Sequence, residues 1–168
     1  MSKIVVGFDL SPSSQQALAW AAEYARLTGL PLQAVHAVPV PASVASIAVL
    51  GMPTPEPDGD IDEGYRREIV EAFEAVGTQP DWRLDFFVDD PGPAVMGASE
   101  DAAIVVMGTR EHRGIGRLVY GSVSRYCLSH SKVPVVAVPY VPADAEKVAD
   151  AGQAAAAGQG DDAGKGEG

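Results

Sequence analysis

Two patterns of apolar residues alternate along this chain. The first is the short apolar run. "KIVVGFD" (3–9), "LQAVHAV" (32–38), "WRLDFFV" (82–88), "AAIVVMG" (102–108) and "VPVVAVP" (133–139) are rich in β-branched residues, as buried parallel strands are. The second is helical spacing. After the first run, Ser11 is a candidate N-cap with Pro12 in the first helical position. Ser14, Leu18, Ala21 and Ala25 then repeat on one face, and Gly29 and Pro31 supply the stop. Tyr65, Ile69, Phe73 and Val76 mark a second helix. Residues 89–101 predict a turn and a short helix, weakly patterned because of Gly92 and Gly97. Val123, Cys127 and His130 line one face of a last helix, where the cysteine and histidine read as structural. Residues 39–60 are proline-rich without periodicity and predict a long, mobile connection.

Strands alternating with helices in this order predict an α/β fold: a doubly wound open sheet of five mostly parallel strands with helices on both faces. Ligands of such sheets bind beyond the carboxyl ends of the strands, where strand order reverses. Asp9 ends the first strand and Gly108 the fourth, so both open onto one crevice if those strands are neighbours. The last strand, Val133 to Pro139, is expected at an edge. An uncovered apolar edge is an aggregation hazard unless something pairs with it, so a homodimer joined through this strand is expected.

Length and composition narrow the class. The 168 residues suit one domain, and 46% hydrophobic residues is ordinary for a globular chain. A single cysteine, Cys127, precludes disulfides within the chain, and the scattered histidines have no metal-ligand spacing. His36, inside a strand, reads as a packed or hydrogen-bonded histidine. The N-terminal apolar run is too short for a signal peptide, and "ASVASIAVLGM" (42–52) is too short to span a bilayer. A cytoplasmic protein is expected. From residue 141 the sequence collapses to Ala, Gly, Asp and Glu, so residues 1–140 are expected to fold and 141–168 to form a disordered acidic tail.

The formal net charge of −11 argues against nucleic acid or an anionic membrane as partner. The charge is unevenly spread. Between Gly108 and Lys132 stand Arg110, Arg113, Arg117, Arg125 and Lys132 against one acid, Glu111. A basic segment confined to one glycine-rich loop suits a small anionic ligand. Gly121 and Ser122 open a helix there, whose free N–H groups and positive dipole end favour phosphate oxygens. Ser122 doubles as a candidate N-cap, and Ser124 is a further hydroxyl donor if it points inward. Gly108 is expected to let the chain turn off its strand and a ligand approach the backbone.

With the elements in this order, "VGFDLSPSSQQAL", "HAV", "VVMGTR" and "GSVSRYCLSHSKVPVVAVP" resemble the universal stress protein family from about Lys3 to Pro139. Members that bind ATP share G-x-x-G-x9-G-[ST] after the fourth strand. Gly108, Gly121 and Ser122 keep that spacing, and Glu111 stands where the pattern has its second glycine. The resemblance implies the adenine nucleotide alpha-hydrolase-like fold and a stress-response module that binds ATP or another adenine nucleotide. Asp9 and the backbone near Ala37 would sit by ribose and adenine, with Met107 packed on the base. Gly108, Arg110, Glu111, Gly121, Ser122, Val123 and Ser124 would surround the phosphates. Leu10 replaces a glycine common after the aspartate, and Ala37 a frequent valine.

A carboxylate about 4 Å from a phosphate costs on the order of 1 kcal/mol in water and several times that in a dry cleft. Glu111 escapes this by turning outward to Arg110, Arg113 or Arg117, or by helping to hold a Mg²⁺ ion that bridges the phosphates. Catalytic constellations are not evident: the sequence has no G-x-S-x-G elbow and no Walker A loop. Slow ATP hydrolysis is the most that is expected of it. The alternatives are a dimeric interaction protein of the same family that binds no ATP, and a cyclic AMP binder, since one phosphate needs less room beside Glu111 than three.

Overall fold

Strand β1 (Lys3–Gly7) occupies the middle of a parallel sheet, with β2 (Leu32–Val38) on one side and β4 (Ala102–Glu111) on the other. β3 (Arg83–Val88) lies beyond β2, and β6 (Val135–Pro139) lies beyond β4. Among the described residues the order β3–β2–β1–β4–β6 is an open parallel sheet of five strands whose order reverses at β1, and the first and fourth strands are neighbours. The computed structural model describes residues 2–38, 62–111, 118–119 and 121–140, with backbone alone at 110, 111, 118 and 119. The proline-rich connection, the arginine-rich stretch 112–117 and the tail from 141 lie outside the described residues.

Helices cover both faces. The alternation of β1 sends Ile4, Val6 and Phe8 into a core with α1 (Pro12–Thr28) and α2 (Glu63–Glu74). Val5 goes to the opposite core, with α3 (Pro91–Ala98) and α4 (Ser122–His130). Full burial of Ile4, Leu18 or Ile69 contributes roughly 1.5–3 kcal/mol each before chain entropy is counted.

α1 forms as its sequence predicts. The Ser14 N–H donates to the Ser11 hydroxyl at 3.3 Å, Pro12 opens the helix, and Gly29 ends it at φ 69°. Its inward face carries Ser14, Leu18 and four alanines, Ala17, Ala21, Ala22 and Ala25. Those small side chains let the helix axis approach the sheet closely. At Gly108 the approach leaves no room for a side chain, because an added Cβ would collide with the Ser13 carbonyl oxygen.

Several boundaries differ from the sequence pattern. β4 does not end at Gly108 but continues to Glu111, where Arg110 and Glu111 pair antiparallel with β5 (Leu118–Val119). Gly108 is held in the ladder opposite Val138. The next residue, Thr109, is fully buried, with its hydroxyl donating to the Val138 carbonyl at 3.3 Å. β1 and β6 are shorter than their apolar runs, because Phe8–Asp9 and Val133–Pro134 flank the strands. On α2, Ile69 and Phe73 are buried, Tyr65 is exposed, and Val76 falls beyond the helix end. His130 is exposed as well. It stacks on Tyr126 at 4.0 Å, and α4 buries Ser124 and Cys127 instead.

Candidate functional site

β1 and β4 end at the same edge of the sheet, and α1, α3 and α4 all begin there. Strand ends and helix N-termini therefore frame one crevice, as expected where a doubly wound sheet reverses direction. Val35, Val95 and Met107 give it a buried apolar wall, with Ala37 half-buried beside them. Asp9, Ser11 and Ser13 supply one polar segment of its lining, and Gly121, Ser122, Val123 and Ser124 supply the other.

The Asp9 end is a local hydrogen-bond circuit. The Ser11 N–H donates to Asp9 Oδ1 at 2.8 Å, and the Asp9 N–H donates to the Ser14 hydroxyl at 3.2 Å, which donates in turn to the Asp9 carbonyl. Burial works to raise the Asp9 pKa. Hydrogen bonds from the Ser11 and Ser14 side chains and the Ser11 amide, with His36 nearby, outweigh it and hold the carboxyl below its ordinary range. The aspartate is thus an ionised acceptor that is itself exposed.

The other end is built oppositely. Gly121 is the N-cap of α4 and has no side chain to offer, so no side-chain bond caps the helix. The first N–H groups of a helix have no intrahelical acceptor, which leaves this turn presenting donors and a positive dipole end to the crevice. Ser122 is therefore not the N-cap but the first helical residue, and it is exposed. Ser124 does not reach into the crevice as a free donor either. Its hydroxyl, 4% exposed, donates to the Gly108 carbonyl at 2.9 Å and ties the start of α4 to β4.

Two glycines have reasons that the sequence pattern misassigned or missed. Gly108 makes no turn; it is glycine because α1 backbone occupies the space of a Cβ. At Gly92 an added Cβ would lie 2.6 Å from the Tyr126 ring, so this glycine lets α3 and α4 pack closely. α3 differs from α4 in kind. Pro91 and Pro93 remove N–H groups from its first turn, and it offers Pro91 and Val95 to the crevice as apolar surface.

The crevice brings together Asp9, Ala37, Met107, Gly108, Gly121, Ser122, Val123 and Ser124 of the sequence-predicted residues. The backbone of Arg110 and Glu111 continues β4 from there, and their side chains lie outside the described residues. Phe8, Ser11, Ser13, Pro91 and Val95 were not foreseen as lining. A signal for Pro91 existed: a helix that follows a parallel strand must start at the carboxyl edge. Among the described residues no cluster of His, Cys, Asp or Glu could hold a metal ion, and no helix is long and apolar enough to cross a membrane.

The sequence profile of the Universal stress protein family matches residues 1–139. The universal stress protein Rv2005c of Mycobacterium tuberculosis is 32% identical over 142 residues, covering 80% of this chain and 47% of the relative. The chain thus spans about half the length of such curated relatives. Among solved structures, a universal stress protein from Archaeoglobus fulgidus in complex with dAMP matches with a TM-score of 0.56 at 24% identity, over 82% of this chain and 98% of that one. A universal stress protein in complex with cAMP matches with a TM-score of 0.58 at 22% identity, over 83% and 98%. Together with a doubly wound sheet whose crevice lies between β1 and β4, the profile match makes this chain a member of the universal stress protein family.

Proposed function

We propose that this chain binds an adenine nucleotide, ATP or a relative of it, in the crevice between β1 and β4 and acts as a stress-response regulatory module. The observation that carries the reading is the uncapped first turn of α4 opening on that crevice. The crevice is electrically directional. Phosphate oxygens would lie against the N–H groups from Gly121 to Ser124. Donors at the other end of the ligand, ribose hydroxyls or an exocyclic amine, would meet the ionised Asp9. Ala37, Val95 and Met107 would flank the base as apolar surface. Relatives of the same fold hold dAMP and cAMP, which fits this polarity. Mg²⁺ would be shared between the phosphates and Glu111 if that carboxylate faces them. Any regulatory effect requires the ligand to bind two conformations of the protein, or of a complex with a partner, unequally.

Calorimetric titration of ATP, dAMP and cAMP, with and without Mg²⁺, into the wild type and Glu111→Gly tests the reading. Micromolar binding by the wild type is the expected result, and a Mg²⁺ requirement would assign Glu111 the bridging role. Binding gained only in the glycine variant would mean an intact crevice closed by this carboxylate. If neither protein binds any of the three, the nucleotide reading falls and an ATP-independent interaction module takes its place.

We propose further that the chain forms a homodimer through β6. Among the described residues this strand pairs with β4 on one side only and lies at the edge of the sheet.

A further inference from the structure

We infer that His36 is the positioning residue for the acidic end of the crevice, acting through the carbonyl of Phe8. This rests on the reading of that crevice as a nucleotide site. The paired register of β1 with β2 ends at Gly7 opposite Val35. One residue on, the Phe8 N–H still donates to the Val35 carbonyl at 2.9 Å, but the Phe8 carbonyl is met by a side chain: His36 Nδ1 lies 2.9 Å from it. A carbonyl oxygen can only accept, so Nδ1 carries the proton, and the tautomer of the ring follows. The imidazole thus anchors the last backbone group before Asp9 at the point where β1 separates from β2.

The ring is placed to hold this bond rigidly. His36 is 2% exposed, edge-on to Phe86 at 5.5 Å and tilted against Tyr65 at 5.6 Å, so α2 and β3 fix its orientation. Among the described residues its Nε2 is buried without a hydrogen-bond partner. A core histidine kept for packing alone would be replaceable by an apolar side chain, and the orphaned nitrogen makes that exchange favourable on packing grounds. What an apolar residue does not supply is the Nδ1 bond to Phe8. Asp9 interacts electrostatically with the ring and Tyr65 packs on it; beyond them Glu68 acts on Tyr65, and the Arg66 guanidinium lies over the Phe86 ring at 4.4 Å. The Phe8 carbonyl and the Asp9 N–H belong to one peptide group. Displacing it would loosen the bond from the Asp9 N–H to Ser14, whose side chain helps to hold the carboxyl low, and return the aspartate towards ordinary acidity.

The test compares wild type, His36→Asn, which keeps an N–H donor near the position of Nδ1, and His36→Leu, which does not. Two quantities are read: the Asp9 carboxyl titration by carbon NMR and ATP affinity by calorimetry. The expected result is that His36→Leu raises the Asp9 midpoint and weakens ATP about tenfold, while His36→Asn restores both most of the way. Unchanged Asp9 titration in folded His36→Leu would overturn the inference. Should that variant not fold, ring nitrogen shifts of the wild type decide: a proton on Nε2 instead of Nδ1 sinks the proposal. If the wild type binds no ATP while the Asp9 arm behaves as expected, the nucleotide reading fails and the positioning role stands.

Discussion

Gly108 separates what a residue type suggests from what its surroundings require. A glycine at the end of an apolar run suggests a turn, yet here it is an in-register strand residue pressed against Ser13, and it lines the crevice from that position. Gly108→Ala should therefore destabilise the fold by about 2 kcal/mol or more, since the α1 backbone must shift to admit a methyl group. Denaturant midpoints with an unchanged m-value would show it, and a neutral result would mean that α1 yields without cost. Cys127 makes the complementary case, where the sequence reading of a structural residue is supported. It is fully buried, and burial pushes its thiol up to about 11. The protonated form is the one the fold favours, so this contribution to stability is complete below the ordinary thiol value and is lost as pH rises towards 11. Alkylation at pH 8 should run at least about 100-fold slower in native protein than in urea, since the lower thiolate fraction sets that floor and burial of the sulfur slows the reaction further.

At the scale of elements, helix starts carry most of the local information. Ser11 caps α1 through its hydroxyl, so Ser11→Ala should cost about 1 kcal/mol in thermal or denaturant unfolding. The same substitution removes a wall residue of the crevice, and ligand affinity should be measured alongside stability to separate the two. α4 behaves differently, since its cap is glycine and no side chain is lost there. Caps, stops and the alanine face of α1 are legible because they depend on neighbours within a turn. The way the two halves of the crevice meet is not, because α4 is held in place by Gly92 packing on Tyr126 and by Ser124 bonding to Gly108. Those partners are distant in sequence, and no local period reports them.

Across the whole molecule, the edge strand β6 is where assembly is to be tested. Val105 pairs with Val135 and donates to the Pro134 carbonyl, so the backbone groups of Pro134, Val136 and Val138 face β4, while those of Val135 and Ala137 face outward. Ala137→Pro should therefore remove an outward donor while sparing the β4 ladder. If β6 joins two copies, sedimentation should report a dimer for the wild type and a monomer for this variant. A dimer that persists in the variant would place the contact elsewhere. Relatives about twice as long as this chain leave its biological assembly to that measurement.

The order of elements, the amphipathic face of α1, its caps and the apolar strands were all determined by sequence alone, because each is a short-range pattern of side-chain size and polarity. Tertiary structure decided the rest: that Gly108 serves helix packing, that Ser124 is bonded to β4, that Phe8, Ser13 and Pro91 reach the crevice, and that His36 holds the end of β1. The physical reason is common to all of them. Each depends on a contact between elements that become neighbours when the sheet assembles, and neither residue of such a pair carries a mark of the other in its own stretch of sequence.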